Sequence, residues 1–146
     1  EQHFDAELIA NGATFCEGVF AGACDRDVPV QIGNMLRNSP HDRNLVYWLT
    51  VNAHLPVSTD PSQGVNPCEL GSKQWRDDFP LLCRSYKVHE QVADSITAEI
   101  MRDDFPNSDI LIVGDHMPPF FPRSIRSRFD SARVPWVFLK SKTSAE

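Results

Sequence analysis

The sequence has no long hydrophobic run and no excess of basic residues, and these absences exclude whole classes of protein. No apolar stretch approaches the roughly 20 residues that a transmembrane helix needs. The 146 residues carry 14 basic and 20 acidic side chains, a net charge of −6, whereas a nucleic-acid or membrane-surface binder presents a basic field. No signal peptide opens the chain. We therefore expect a soluble domain that binds no nucleic acid and reaches a membrane only through an anchor absent from this sequence.

The common catalytic signatures are absent as well. The sequence contains no G-x-S-x-G nucleophile elbow, no phosphate-binding P-loop and no dinucleotide-binding glycine pattern. Serine and threonine are plentiful, but none lies at a strand-to-helix turn beside a basic partner. We therefore identify no catalytic nucleophile in this chain.

The hydrophobic pattern predicts one α/β domain over residues 1–146, because 41% of the residues are hydrophobic and can form a core. Apolar side chains at helical spacing predict helices over 4–10, from Asp27 onward and over 81–103. Short apolar, β-branched runs predict strands over 14–20, 44–51, 110–113 and 134–139. This alternation of helices and strands is typical of a largely parallel sheet flanked by helices.

The four cysteines form no C-x-x-C pair and no zinc-finger pattern. Their spacings of 8 and 15 residues permit two local disulfides, Cys16–Cys24 and Cys68–Cys83, one of three possible connectivities. Four buried thiols in a cytosolic protein are the alternative. Cys68 lies in a long loop over 56–75, rich in proline, glycine and serine, where a buried free thiol is unusual. This position favours disulfides and an oxidising compartment.

The most informative stretch is Ile-Leu-Ile-Val-Gly-Asp-His over residues 110–116, a predicted buried strand followed by Asp115 and His116. Open α/β sheets bind ligands just past the carboxyl ends of their strands. A carboxylate oxygen and an imidazole nitrogen suit a divalent metal such as zinc or manganese. His54 follows the strand predicted over 44–51 in the same way. If both strands are parallel, the three side chains meet at one edge and form a metal site beside an anionic substrate.

Each of these residues also has a simpler explanation. An Asp-His pair after a strand is often a turn with a hydrogen-bonded imidazole, and a loop histidine such as His54 is usually solvated. His89 lies on the apolar stripe of the helix over 81–103, so we interpret it as a core or interface residue. The arginines between residues 123 and 133 are typical of a solvated face. Arg123, nearest the metal loop in sequence, is the exception and the candidate for binding phosphate or sulfate.

Four segments resemble the alkaline-phosphatase/sulfatase superfamily, and within it the bacterial membrane-anchored phosphoethanolamine and phosphoglycerol transferases. Residues 110–116 are similar to the late metal-binding motif, which is usually Ser-Asp-His-Gly and here is Gly-Asp-His-Met. Residues 47–56, Tyr-Trp-Leu-Thr-Val-Asn-Ala-His-Leu-Pro, resemble the strand that leads to a substrate-side histidine. Residues 86–100 resemble the helix before the metal strand, and residues 134–137, Val-Pro-Trp-Val, resemble a late strand. The similarity spans most of residues 13–140.

The resemblance implies the late half of an alkaline-phosphatase-like fold. In it Asp115 and His116 would bind zinc or manganese, and His54 would contact the phosphate or its leaving group. The family reaction passes through a covalent intermediate on a threonine or similar nucleophile, with a metal that stabilises charge on the transferred group. That nucleophile and the first acidic ligand lie in an early half, before any matched segment. The resemblance therefore implies an incomplete metal site and a chain that is inactive alone.

These inferences predict the C-terminal portion of a metal-dependent, sulfatase-like hydrolase or transferase at the periplasmic or extracytoplasmic face of the inner membrane. Its expected partners are a phosphate- or sulfate-bearing glycan or lipid of the envelope and the missing N-terminal half of the same protein. The alternative function is a non-catalytic binding or scaffold module in polysaccharide or envelope assembly. A third interpretation is a disulfide-stabilised α/β domain without a metal.

Overall fold

A computed structural model of the chain describes residues 4–141. The chain divides into two compact units, Glu1–Phe105 and Pro106–Glu146. Helices and strands occur together, which confirms the predicted mixture of the two. Of the described helices, none is both long and apolar enough to cross a bilayer.

The first unit is mainly helical. Its described elements are α1 (Phe4–Ala10), β1 (Phe15–Cys16), β2 (Gly22–Ala23), α2 (Val28–Arg37), α3 (Lys73–Asp78) and α4 (Pro80–Ile100), with 3-10 turns over Asp25–Asp27 and Pro61–Gln63. The three helices predicted from the apolar spacing are present, and α4 ends at Ile100 rather than at residue 103. Gly12 lies just past α1 with a φ of 100°, a left-handed conformation that favours glycine at a helix end.

Part of the first unit's core comes from the long loop over 56–75. Val57 and Val65 belong to this loop, and they form a cluster with Val88 of α4 in which each side chain is at most 3% exposed. Ala53 and Leu55 pack against the cluster. The loop is therefore folded against α4, as expected of a long loop inside a compact domain.

Both predicted disulfides are present. Cys16–Cys24 joins β1 to the residue after β2, with Cα atoms 5.0 Å apart. Cys68–Cys83 joins the long loop to the first turns of α4, with Cα atoms 6.2 Å apart. Structural disulfides persist in oxidising compartments, which supports a location outside the cytoplasm.

A buried ion pair connects α2 to α4. Glu99 is 3% exposed, and its Oε1 atom lies 2.6 Å from Nη1 of Arg37. The Glu99 carboxylate also lies directly against Gly33, where any Cβ atom would overlap it. The absence of a side chain at residue 33 is therefore what allows the two helices to approach around this carboxylate.

The second unit contains β3 (Ile110–Val113), α5 (Arg123–Arg126) and β4 (Trp136–Leu139) among its described residues. β3 and β4 pair antiparallel, from Ile110 opposite Leu139 to Val113 opposite Trp136. Phe120 and Ile125 are its buried side chains, and the ring of Phe120 stacks on Phe129 with centroids 5.7 Å apart.

The predicted largely parallel sheet does not occur within residues 4–141, where both ladders are antiparallel pairs of strands. The strand predicted over 14–20 is shortened to Phe15–Cys16, and residues 44–51 form no ladder. An apolar run does not identify the segment that pairs with it or the direction of pairing. The burial expected of residues 44–51 is also wrong, since Leu45 and Tyr47 are 97% and 86% exposed.

We predict that Arg37→Met destabilises the first unit by about 3 kcal/mol, because it leaves the buried Glu99 carboxylate without its closest cation. Urea unfolding followed by circular dichroism measures the change. Lys73→Met is the matched control, since Lys73 and its partner Asp77 form an exposed ion pair that contributes little. Equal urea midpoints for the two variants would contradict the prediction.

Candidate functional site

Asp115 and His116 follow β3 after one glycine, as the sequence predicted. The prediction that this strand is buried is wrong, because three of its four residues are exposed. The N–H of Gly114 donates to the carbonyl of Pro135 at 2.9 Å, so pairing with the β4 segment extends to the residue before the corner. A Cβ atom on Gly114 would lie 3.0 Å from Cδ of Pro135. Glycine therefore allows the two chains to approach closely where the Asp115–His116 corner begins.

The hydrogen bonding of His116 assigns its tautomer. Nδ1 lies 2.9 Å from the Met117 carbonyl, which can only accept, so Nδ1 carries the proton. In the neutral ring, Nε2 then holds a lone pair, and it lies 3.4 Å from Oδ2 of Asp115. Two electron-pair donors at this distance attract a cation, which can be a proton or a metal ion. Both side chains are more than half exposed.

The corner supplies only part of a metal site. Zinc in proteins is usually held by four ligands, or by three ligands and a water. Within residues 4–141, no group of three or more His, Cys, Asp and Glu side chains is arranged to hold a metal ion. Asp115 and His116 can therefore provide one carboxylate and one imidazole, and a complete site needs further donors.

Arg123 begins α5 and lines a depression of about 490 Å³ together with Met117, Arg126 and Ser127. Met117 directly follows the Asp115–His116 corner in sequence. Guanidinium and hydroxyl donors suit phosphate or sulfate oxygens. Sequence reasoning did not single out Arg126, although its position three residues after Arg123 places both on one side of a helical turn.

His54 lies in the first unit, on an exposed turn. Its Nδ1 atom is 2.9 Å from the carbonyl of Leu55, so it has the same tautomer as His116. Its ring lies against Phe20, with ring centroids 4.2 Å apart. Asp115, His116 and Arg123 belong to the second unit. The predicted sheet edge shared with His54 is wrong for the described residues, because residues 44–51 form no ladder and β3 pairs antiparallel with β4. A role for His54 in substrate binding stays a prediction.

A buried carboxylate holds the turn before His54. Asp25 is 2% exposed, and its carboxylate accepts hydrogen bonds from the backbone N–H groups of Val51 at 2.9 Å and Asn52 at 2.7 Å. The Asn52 side chain in return accepts from the backbone N–H of Asp25 at 2.7 Å. Burial raises the pKa of Asp25 to about 6, although these backbone hydrogen bonds oppose the rise. No sequence pattern pointed to this reciprocal pair, because its partners are far apart in the chain.

Comparison with known proteins yields no relative: no family model, no curated protein and no solved structure matches the chain. The resemblance to the alkaline-phosphatase/sulfatase superfamily is therefore carried by the motif residues alone.

The raised pKa of Asp25 predicts that the free energy of unfolding falls as the pH rises from about 4 to about 6. In this window the folded chain keeps a proton on Asp25 that the unfolded chain has released, so deprotonation favours unfolding. At about 1.4 kcal/mol per pKa unit, the expected loss is about 3 kcal/mol, complete above about pH 6. Urea unfolding across this pH range measures it.

Asp25→Asn should flatten this pH dependence, whereas Asp42→Asn, on an exposed turn, should leave it unchanged. Asp60, Asp104 and Asp109 have lowered pKa values, through hydrogen bonds from Ser62, Arg102 and Ser141 respectively. Their ionised carboxylates stabilise the folded chain, and this contribution to the free energy of unfolding is lost below about pH 4. An unchanged slope in Asp25→Asn would show that another group titrates.

Proposed function

We propose that the chain is the C-terminal portion of an extracytoplasmic, metal-dependent, sulfatase-like hydrolase or transferase that acts on phosphate or sulfate esters of envelope glycans or lipids. The observation that carries this proposal is the corner after β3. There the Nε2 atom of His116 and the Oδ2 atom of Asp115 lie 3.4 Å apart. The next residue, Met117, lines a depression that also contains Arg123 and Arg126. The corner suits a divalent cation, and the adjacent depression suits the anionic ester.

The side chains have distinct roles in this proposal. Asp115 and His116 would hold the metal, and the carbonyl of Met117 keeps the imidazole oriented by accepting its Nδ1–H. A bound zinc or manganese ion supplies Lewis-acid stabilisation of charge on the transferred group. Arg123 and Arg126 donate to the oxygens of the phosphate or sulfate.

The strand surfaces support the view that this chain is one part of a larger domain. β3 and β4 expose apolar side chains on both faces: Leu111 and Val113 are 63% and 58% exposed, and Trp136 and Val137 are 68% and 52% exposed. A two-stranded ribbon is only marginally stable in water, and apolar patches of this kind mark protein contacts. We infer that the N-terminal half of the same protein covers these faces and completes the alkaline-phosphatase-like sheet.

The same N-terminal half would supply what the described residues lack for catalysis. Two donors at the corner bind a metal weakly, and a nucleophile is needed for displacement at phosphorus or sulfur. The chain alone is therefore proposed to be inactive. The two disulfides support a location in an oxidising compartment outside the cytoplasm, and within that range we propose the extracytoplasmic face of the inner membrane.

Metal titration tests the corner. We expect weak zinc or manganese binding by the 146-residue chain and tight binding by the whole protein. Asp115→Ala and His116→Ala in the whole protein should each lower metal affinity by more than about tenfold, because even the groups that orient metal ligands are worth 10–100-fold. Hydrolysis of nitrophenyl phosphate and nitrophenyl sulfate is measured in parallel.

Asp42→Ala and His41→Ala are matched controls for these variants, since both residues are exposed on a turn of the first unit. If Asp115→Ala in the whole protein loses neither metal nor activity, the metal assignment is wrong. The non-catalytic scaffold function is then favoured.

Arg123→Ala in the whole protein should raise KM for the ester about tenfold or more, because a charged hydrogen bond contributes about 1.5–3 kcal/mol. Arg133→Ala is the control, since Arg133 is highly exposed and lies 3.9 Å from Asp130. Equal KM values for the two variants would exclude Arg123 from substrate binding.

A further inference from the structure

We propose that the first unit carries a saccharide-binding groove between α3 and α4, with Trp75 and Tyr86 as its platform. The groove has a volume of about 780 Å³, within the range of small-molecule sites. The choice of a glycan over another hydroxylated ligand rests on the proposed function, because an enzyme that modifies a glycan must hold the sugar as well as its ester. The groove itself is made only of first-unit residues.

The two aromatic rings form one surface rather than a cage. Their centroids lie 6.2 Å apart and their planes are inclined by 38°. Rings at this separation are already neighbours, so a flat ligand cannot enter between them. It can lie across the parts of the rings that remain accessible, since Tyr86 is 49% exposed and Trp75 is only partly buried. The C–H face of a pyranose ring is flat and apolar enough to stack on such a surface.

Polar groups beside the rings suit hydroxyls. Ser72, His89 and Glu90 line the same groove. His89 Nδ1 lies 2.7 Å from the carbonyl of Ser85, so the ring has its proton there and Nε2 is an acceptor. Glu90 is an acceptor that is charge-balanced by Lys87 at 2.5 Å. The described lining residues include no arginine or lysine, so the groove suits a neutral sugar ring and not the anionic ester.

The packing of α4 does not explain these side chains. The apolar spacing predicted one stripe on this helix, made of Leu82, Tyr86, His89, Ala93, Ile96 and Ile100. Leu82 is buried and the two isoleucines are partly buried, but Tyr86, His89 and Ala93 are exposed. The helix instead buries the side of Ser85, Val88 and Glu99, and Cys83 is buried where it forms the disulfide to Cys68. His89 is therefore not a core residue, and its stripe is presented at the surface beside Trp75.

The rim of the groove is held rigidly. Arg76 donates through Nη1 to the carbonyls of Glu69 at 3.2 Å, Leu70 at 3.4 Å and Gly71 at 2.7 Å. Gly71 has a φ of 64°, and a Cβ atom there would lie 3.0 Å from the Trp75 ring. The Cys68–Cys83 disulfide ties this segment to α4. A preformed rim lowers the entropy cost of binding a ligand.

The test is a titration of the 146-residue chain with neutral cello-, malto- and chito-oligosaccharides in the presence of EDTA, so that no metal site contributes. Isothermal calorimetry and saturation-transfer NMR report binding. We expect at least one oligosaccharide class to bind, with affinity reduced about tenfold by Trp75→Ala and by Tyr86→Ala. Tyr86 is exposed on α4, so its variant remains informative if Trp75→Ala fails to fold. Trp136→Ala and Tyr47→Ala, which remove other exposed aromatic side chains, are the matched controls.

Three results would contradict the proposal that the groove binds a saccharide. They are no binding by any oligosaccharide, an equal loss in the control variants, and binding of tetramethylammonium in place of sugars. The metal titration of the whole protein separates this proposal from the function above. Tyr86→Ala should leave metal affinity unchanged, and Asp115→Ala should leave saccharide binding unchanged.

Discussion

The first unit depends on the attachment of the loop over 56–75 to α4. The Cys68–Cys83 disulfide closes a separation of 15 residues, which corresponds to about 3 kcal/mol of lost unfolded-state entropy. With this loop in place, Val57 and Val65 contact Val88 in a buried cluster. Few other large side chains are buried among residues 4–141, so the disulfide compensates for the small apolar area that the unit buries.

The same loop connects the disulfide to the turn that carries His54. The guanidinium of Arg26 donates to the carbonyls of Ser62 at 2.8 Å and Gln63 at 3.0 Å, within the 3-10 turn of the loop. Arg26 directly follows Asp25, whose carboxylate holds the backbone before His54. A perturbation of the loop is therefore transmitted to the His54 turn through hydrogen bonds to one short segment. The ionised carboxylate of Asp25 is destabilising at neutral pH because it is buried, and its hydrogen bonds to Val51 and Asn52 fix the backbone of that turn.

The sequence predicted the local features of this structure better than it predicted which distant segments pair. Three helices follow from apolar spacing, whereas the short helices α3 and α5 were not predicted. The disulfides follow from the short separations between cysteines, and the Asp115–His116 corner from a strand followed by glycine. The pairing of the strands was not predictable, because the sequence does not show which strand's carbonyl accepts a hydrogen bond from a given backbone N–H. The exposed stripe on α4 was misassigned for a related reason. Tyr and His are amphipathic, so helical spacing alone does not distinguish a buried face from a ligand groove.

We propose different partners for the accessible aromatic side chains of the two units, because the side chains around them differ in polarity. On β3 and β4, exposed apolar side chains follow one another along both faces with few polar neighbours, which is typical of a surface that another polypeptide covers. Beside Trp75 and Tyr86, a hydroxyl, an imidazole and a carboxylate converge on the same groove, which is typical of a ligand site. Glu90 is already paired with Lys87, and Nε2 of His89 is an acceptor, so the hydroxyls of a neutral sugar can donate to both side chains. This difference is the reason that we propose a polypeptide partner for the strand faces and a glycan for the groove.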